Sequence, residues 1–135
     1  MKQRIIIDAK DGVIGRIASY AAKQALFGKE IIIVNCNESI VTGKKGVVLE
    51  QYRIARVKGG SWSRTGPQFP KSPERLMKRT VRGMLSHKQK RGEEALDRVM
   101  CYNKVPAEYE SAEKVTFVRK LKTGTTTLKR LQELL

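Results

Sequence analysis

The spacing of apolar positions changes several times along the chain, and each spacing predicts a different element. Residues 4–8 and 30–35 are short runs of isoleucine and valine, which are typical of strands buried in a sheet. Between them, residues 13–29 carry apolar side chains at helical spacing, and Gly28 marks the end of this helix. Strand, helix and strand with short connections predict a βαβ unit with parallel strands and a right-handed crossover.

The rest of the chain alternates helical and extended patterns around one aperiodic loop. Residues 58–71 contain three glycines and two prolines without any period, and so long a loop is usually functional. The other predicted elements are a short extended piece within 39–46, helices at 47–57, 72–86 and 91–99, strands at 99–103 and around 115–118, and a Thr-capped C-terminal helix at 125–135.

The clearest helix start in the sequence is at Ser72. Ser72 fits the N-cap, Pro73 the first helical position, and Glu74 the positive end of the helix dipole. The apolar face of this helix is predicted to comprise Met77, Val81, Met84 and Leu85. The opposite face holds Arg75, Lys78, Arg79 and Arg82 within an arc of roughly 100°. The pattern predicts a helix that packs with one face and presents a row of cations with the other.

Charge changes the picture most. The 135 residues include 28 Lys and Arg against 13 Asp and Glu, a net charge of +15. Between Arg53 and Arg91 there are twelve basic residues and one acid, Glu74, so this segment alone carries +11. A local excess of this size indicates a polyanionic partner, and the cations are expected to contact nucleic-acid phosphates.

Several other classes of protein are disfavoured. No run approaches the roughly 18 apolar residues of a membrane span, and the N-terminal apolar run has only three isoleucines. Cys36 and Cys101 lie beside strand-like runs and are predicted to be buried free thiols in a reducing compartment. We therefore expect a soluble cytoplasmic protein of one domain with no membrane partner.

No complete catalytic, metal or nucleotide motif is present. His87, the single histidine, has no carboxylate nearby in sequence, and no ligand spacing suggests a metal. The stretch "DAKDGVIGR" has only Gly12 and Gly15 of a G-x-G-x-x-G fingerprint, and "VTGKKG" lacks two positions of a phosphate-binding loop. We predict a binding protein without enzymatic activity, cofactor or small-molecule substrate. An RNA-modifying or nucleotide-dependent enzyme is the alternative.

Two aromatic residues lie among the cations of the basic loop. Trp62 and Phe69 alternate with Arg64 and Lys71. Rings beside cations stack on unpaired bases, or they fix a loop to the body of a domain. The sequence leaves both interpretations open.

Three stretches together resemble one protein family. "IDAKDGVIGRIAS" (7–19), "SRTGPQFPKSPERLMKRTVRGML" (63–85) and "RTVRGMLSHKQKRGEEALDRVMCYNKVP" (79–106) are similar to motifs of the L-thirteen family of large-subunit ribosomal proteins, in its archaeal and eukaryotic form. Ser86 stands where the family usually has proline, and the segment "YNKVP" that ends at Pro106 lacks the glycine that the family usually has there. The long C-terminal extension of eukaryotic members is missing, which points to the archaeal type.

The resemblance implies a three-layer α/β/α fold with a small, mainly parallel four-stranded sheet of Rossmann-like type. A basic loop (58–71) and a C-terminal helix (125–135) would complete one ribosomal protein domain over residues 1–135. It also implies binding to large-subunit (23S-type) rRNA and to neighbouring ribosomal proteins, and a part in early subunit assembly. In this interpretation Gly83 permits a bend or a close approach, and Met84 and Leu85 pack. A leucine row at Leu128, Leu131 and Leu135 is a further candidate for docking neighbours.

The candidate RNA-binding residues are Arg53, Arg56, Lys58, Trp62, Arg64, Lys71, Arg75, Lys78, Arg79, Arg82, Gly83, His87, Lys88, Lys90 and Arg91.

Overall fold

A parallel sheet with helices packed on one face forms the body of the protein. The computed structural model describes residues 3–57, 69–119 and 121–135. The strands within these ranges are β1 (Arg4–Asp8), β2 (Glu30–Val34), β3 (Ile40–Thr42), β4 (Val99–Cys101), β5 (Val115–Thr116) and β6 (Thr125–Thr127). The helices are α1 (Ile14–Leu26), α2 (Lys45–Val57), α3 (Pro73–Gly83), α4 (Lys90–Asp97) and α5 (Leu128–Leu134), with 3-10 turns at Cys36–Glu38 and Ala107–Tyr109. None of these described helices is long and apolar enough to cross a membrane.

The four-stranded sheet has the order β4-β2-β1-β5, and all its neighbours are parallel. Strands β1 and β2 pair along their whole length, from Arg4 opposite Glu30 to Asp8 opposite Val34, with α1 as their connection. Strands β3 and β6 form a separate antiparallel pair. The predicted α/β class, the βαβ unit and the four-stranded parallel sheet are therefore confirmed.

The isoleucine runs are continuous because both faces of the sheet are covered, and alternate side chains point to opposite faces. Ile7, Ile31 and Ile33 are buried against the apolar stripe of α1 and residues from α3, α4 and α5. On the other face, Ile6, Ile32 and Val34 pack against residues of the 102–112 segment. The layer on this second face is thus a short segment with one 3-10 turn, because residues 102–112 carry no helical period.

Helix α3 begins at Pro73 as predicted, but its cap comes from elsewhere in the chain. Ser72 has the extended backbone of an N-cap, yet its side chain makes no capping hydrogen bond. The backbone amide of Glu74 instead donates to Oδ1 of Asn103 at 3.1 Å. The prediction that Met84 packs was wrong, because α3 ends at Gly83 and the Met84 side chain is 44% exposed in the turn that follows.

The C-terminal helix is shorter than the predicted range 125–135. Residues Thr125–Thr127 pair with β3 as strand β6, and α5 begins at Leu128. The Thr127 hydroxyl accepts a hydrogen bond from the Arg130 amide at 3.2 Å, so the predicted threonine cap is confirmed. Leu128 and Leu131 are fully buried in the protein's own core. These two leucines of the row therefore pack internally, whereas Leu135 is half-buried and lies outside this core.

Candidate nucleic-acid interface

Helix α3 separates apolar from basic side chains as the sequence predicts. Leu76, Met77 and Val81 are buried on its inner face, where α3 packs against α1. Three of its four cations, Arg75, Arg79 and Arg82, are exposed, and Lys78 is half-buried. The packed face fixes the helix, so these cations project from a rigid element, which favours a defined binding geometry.

An open groove of about 570 Å³ lies along α3. We call it the basic groove; its lining residues are Phe69, Pro70, Glu74, Arg75, Lys78, Arg79, Arg82, Leu96, Met100 and Cys101. Four cations and one acid among these described side chains give it a net charge of +3. A concave surface of one charge sign concentrates the electrostatic potential and attracts anionic ligands.

Phe69 connects the basic groove to two helices. The guanidinium carbon of Arg79 lies 4.7 Å from the centre of the Phe69 ring, in a cation–π contact. The ring of Tyr52 on α2 meets Phe69 edge-on, with the ring centres 5.5 Å apart. Of the two interpretations left open by the sequence, attachment to the body therefore holds for Phe69. Trp62 lies outside the described residues.

The one acid that lines the basic groove, Glu74, is ionised at neutral pH. Burial raises the pKa of its carboxyl group, but hydrogen bonds from Ser72, from its own backbone amide and from Asn103, together with the charge of Arg75, lower it more. The resulting pKa lies below the ordinary value of 4.5. Glu74 Oε2 is buried and has no hydrogen-bond partner within the described ranges.

One wall of the basic groove is apolar, and sequence reasoning missed it. Leu96 comes from α4, and Met100 and Cys101 come from β4, which is an edge strand of the sheet. Met100 is 47% exposed, whereas its neighbour Val99 is fully buried. The alternation along β4 gives some signal for an outward Met100. The edge position of β4 could not be read from the sequence, since it depends on the order of strands.

The turn between α3 and α4 carries further cations, and a glycine holds it in place. A Cβ atom at Gly92 would collide with the carbonyl group of Ser86 and lie 3.0 Å from the His87 amide nitrogen. At Gly83 no described atom beyond its chain neighbours and the backbone of its own helix lies within 4 Å of the equivalent position. The close approach within the protein thus occurs at Gly92, whereas Gly83 is left open to a partner from outside the chain.

Four candidate residues lie in this turn or at the start of α4: His87, Lys88, Lys90 and Arg91. The two lysines and Arg91 are exposed, and His87 is half-buried. The amide of His87 donates to the Leu85 carbonyl at 2.8 Å, and its Nδ1 atom is buried without a hydrogen-bond partner in the part of the chain that the structure describes. These residues follow α3 directly but do not line the basic groove.

The remaining described candidates, Arg53, Arg56 and Lys71, do not line the basic groove. Arg53 and Arg56 are exposed on α2, and Arg53 lies 3.7 Å from Glu50. Both arginines line a separate small cavity with Val57 and Leu135. Lys71 is half-buried just before α3. Three further candidates, Lys58, Trp62 and Arg64, lie outside the described residues.

The two cysteines form no metal centre or disulfide. Cys36 is buried, Cys101 is half-buried, and both are free thiols, although only Cys36 has the full burial that was predicted. Two effects raise the pKa of Cys36 well above its ordinary value: the hydrogen bond with Cys101, which is the larger, and burial. This thiol therefore stays protonated. The described residues contain no group of three histidine, cysteine or acidic side chains placed to hold a metal.

A second groove, of about 440 Å³, lies on the other side of α4. We call it the mixed-charge groove; its lining residues are Arg4, Glu30, Ile32, Glu94, Asp97, Arg98, Met100, Tyr102 and Tyr109. Its described lining has two cations and three acids. Arg4 pairs with Glu30 at 3.3 Å, and Arg98 donates to the Ala25 carbonyl at 2.8 Å. This groove is therefore unsuited to phosphate.

Comparisons with known proteins agree with the resemblance seen in the sequence. The family described as "Ribosomal protein L13" matches residues 2–108. The large ribosomal subunit protein uL13 of Methanosarcina barkeri is 43% identical over 112 residues, which cover 82% of this chain and 79% of that protein. The uL13 proteins of Methanococcoides burtonii and Natronomonas pharaonis are 42% and 43% identical, and the matches cover 82% and 81% of this chain and 78% and 72% of theirs. The chain belongs to the ribosomal protein L13 family of the large ribosomal subunit.

Proposed function

We propose that the protein binds large-subunit rRNA through the basic groove and the cationic turn that follows α3. The observation that carries this proposal is the row Arg75, Lys78, Arg79 and Arg82, which lines one groove of net charge +3 on a rigid helix. As a member of the L13 family, the chain is a structural protein of the large ribosomal subunit and not an enzyme. The RNA contacts are our assignment.

Binding by these side chains would be mainly electrostatic. Guanidinium groups donate two parallel hydrogen bonds to phosphate oxygens, and lysine adds a point charge. Each neutralised phosphate releases counterions, so the binding constant falls with salt by a logarithmic slope of about −0.7 to −0.9 per contact, on the values for DNA. We propose that residues 1–135 form one domain. The folded body of this domain would hold the cations at fixed positions relative to one another.

The remaining candidates extend this surface. Lys88, Lys90 and Arg91 would continue the phosphate contacts beyond α3, and His87 in the same turn would also contact RNA. Gly83 is exposed and uncrowded, so RNA backbone could approach closely there. The segment that holds the other candidates is strongly basic, and we therefore also propose RNA contacts for Arg53, Arg56, Lys58, Trp62, Arg64 and Lys71. We also propose that the protein contacts neighbouring ribosomal proteins and takes part in early assembly of the large subunit.

Retention of the purified protein on large-subunit rRNA, transfer RNA and duplex DNA across a salt series tests this function. We expect a preference for large-subunit rRNA that persists when the other two have dissociated, because fixed cations match one RNA shape. Equal binding to all three that disappears together with salt would refute specific recognition. Reconstitution of large subunits without the protein should stall at an early precursor, and normal early assembly would contradict that part of the proposal.

A further inference from the structure

The basic groove has an apolar wall that phosphate contacts do not use. Leu96 and Met100 line the same groove as the four cations, together with Phe69 and Pro70. The Met100 side chain is 47% exposed. RNA that touched only the cations would leave this apolar surface in water, and apolar patches inside a groove usually mark a binding site.

We propose that the basic groove accepts one unpaired nucleotide, with its base against Met100 and Leu96 and its phosphates on the cations of α3. This inference rests on the proposed function above and specifies its ligand. A paired base has its faces covered by its neighbours in the helix, whereas an unpaired base exposes them to protein side chains.

The chemistry of the wall fits a base. The thioether of Met100 makes favourable contacts with aromatic rings. The Arg79 guanidinium lies over the ring of Phe69 at 4.7 Å, and guanidinium planes stack on bases as well as on rings. The groove, at about 570 Å³, is within the range of about 300–1,000 Å³ typical of small-molecule sites.

Charge favours a nucleotide over an apolar protein segment. An apolar side chain of a neighbouring protein could cover Met100 and Leu96, but it would bring no anion to a groove whose described lining has a net charge of +3. A nucleotide joins a flat apolar ring to an anionic phosphate, so a single unit satisfies both parts of the groove.

The chain provides a matched control for this proposal. Met84 is 44% exposed, which is close to the exposure of Met100, but Met84 does not line the basic groove. Met100→Ala and Met84→Ala therefore remove equally exposed methionines, one inside the groove and one outside it. Far-UV circular dichroism tests whether both variants are folded.

The test measures the affinity of the full chain for three RNA hairpins at one salt concentration: fully paired, with a single bulged adenosine, and with the same bulge lacking its base. We expect the parent protein to bind the adenosine bulge about tenfold more tightly than the abasic bulge, within the usual range for one base stacked on protein. Met100→Ala should lose most of this ratio while its affinity for the paired hairpin stays unchanged. Met84→Ala should keep the ratio.

Two results would overturn the inference. Equal affinity of the parent for the adenosine and abasic bulges would show that no base enters the groove, as expected if a protein segment occupies it. A ratio that survives in Met100→Ala would place the base elsewhere. If the same protein is still retained specifically on large-subunit rRNA, the proposed function stands and only the nucleotide site is lost. Loss of that retention would remove both.

Discussion

The two grooves beside α4 differ in charge although they share a residue. Met100 lines both, but the basic groove has four cations to one acid and the mixed-charge groove has two cations to three acids. In the mixed-charge groove Arg4 is already engaged by Glu30 at 3.3 Å. A net charge of +15 therefore does not make every concave surface a phosphate site. The distribution of charge within the fold distinguishes a groove that suits phosphate from one that does not.

Helix α4 lies between the two grooves, and its position depends on Gly92. We therefore expect the largest effect, a loss of stability, from Gly92→Ala. Its Cβ atom would collide with the Ser86 carbonyl, and a backbone obstruction cannot move aside as a side chain can. We expect the free energy of unfolding to fall by about 3 kcal/mol, at the upper end of overpacking costs. Urea denaturation followed by circular dichroism measures this change.

Gly83→Ala is the control for this first variant. No described atom crowds Gly83, so its stability should change by less than about 0.5 kcal/mol, while rRNA binding should weaken if RNA approaches there. Equal destabilisation by the two glycine variants would contradict the assigned geometry of the turn.

Removing cations from the basic groove should have the next largest effect. Arg79→Ala with Arg82→Ala should weaken binding to large-subunit rRNA by roughly ten- to a hundredfold, because two charged hydrogen-bond donors are lost. The salt slope should become shallower by about 1.4 to 1.8. Filter binding across a salt series measures both values, and circular dichroism should show a folded domain.

Two further pairs sharpen this comparison. Arg4→Ala with Lys104→Ala removes the same charge from the other face of the sheet and should leave rRNA binding nearly unchanged. Because Arg79 also covers Phe69, Lys78→Ala with Arg82→Ala should reproduce the loss without disturbing that contact. Equal weakening by the Arg4 and Lys104 pair would mean that net charge alone controls binding.

Neutralising acids in the mixed-charge groove should have a smaller effect. Glu94→Gln with Asp97→Asn removes two negative charges that repel RNA, and we expect affinity for any RNA to rise about two- to threefold. The preference for large-subunit rRNA over transfer RNA should not change, since both cations of this groove, Arg4 and Arg98, are already engaged by protein oxygens. A gain confined to the ribosomal RNA would indicate that the mixed-charge groove takes part in recognition.

The smallest expected effect concerns Glu74 and pH. Its pKa in the folded protein is lower than its ordinary value of 4.5, so its contribution to stability is present above that value. That contribution is lost as the pH falls through 4.5 toward the lower folded pKa. Denaturation of the parent and of Glu74→Gln is measured between about pH 7 and about pH 3. The free energy of unfolding should fall less steeply with decreasing pH in the variant than in the parent. Identical profiles would show that Glu74 is not linked to folding.

Local patterns predicted most of the fold and part of the site. The isoleucine runs predicted the central strands, and the start of α3 at Pro73 was correct. The helical spacing of the cations also predicted their shared face. These features depend on period and on neighbouring residues, which the sequence displays directly.

Features that depend on contacts distant in sequence were missed. The cap from Asn103, the crowding at Gly92 and the apolar wall from Met100 each involve segments that meet only in the folded chain. The Thr125–Thr127 strand was read as part of a helix because its partner, β3, lies far away in sequence. Tertiary pairing overrides local preference at such places.

Photo-crosslinking within the assembled large subunit tests the central claim most directly. A benzophenone side chain is introduced in place of Lys78 in the basic groove, or in place of Glu94 in the mixed-charge groove. We predict a crosslink to large-subunit rRNA from position 78 and little or none from position 94. A crosslink from position 94 alone, or equal yields from both positions, would contradict the assignment of the basic groove as the RNA-binding surface.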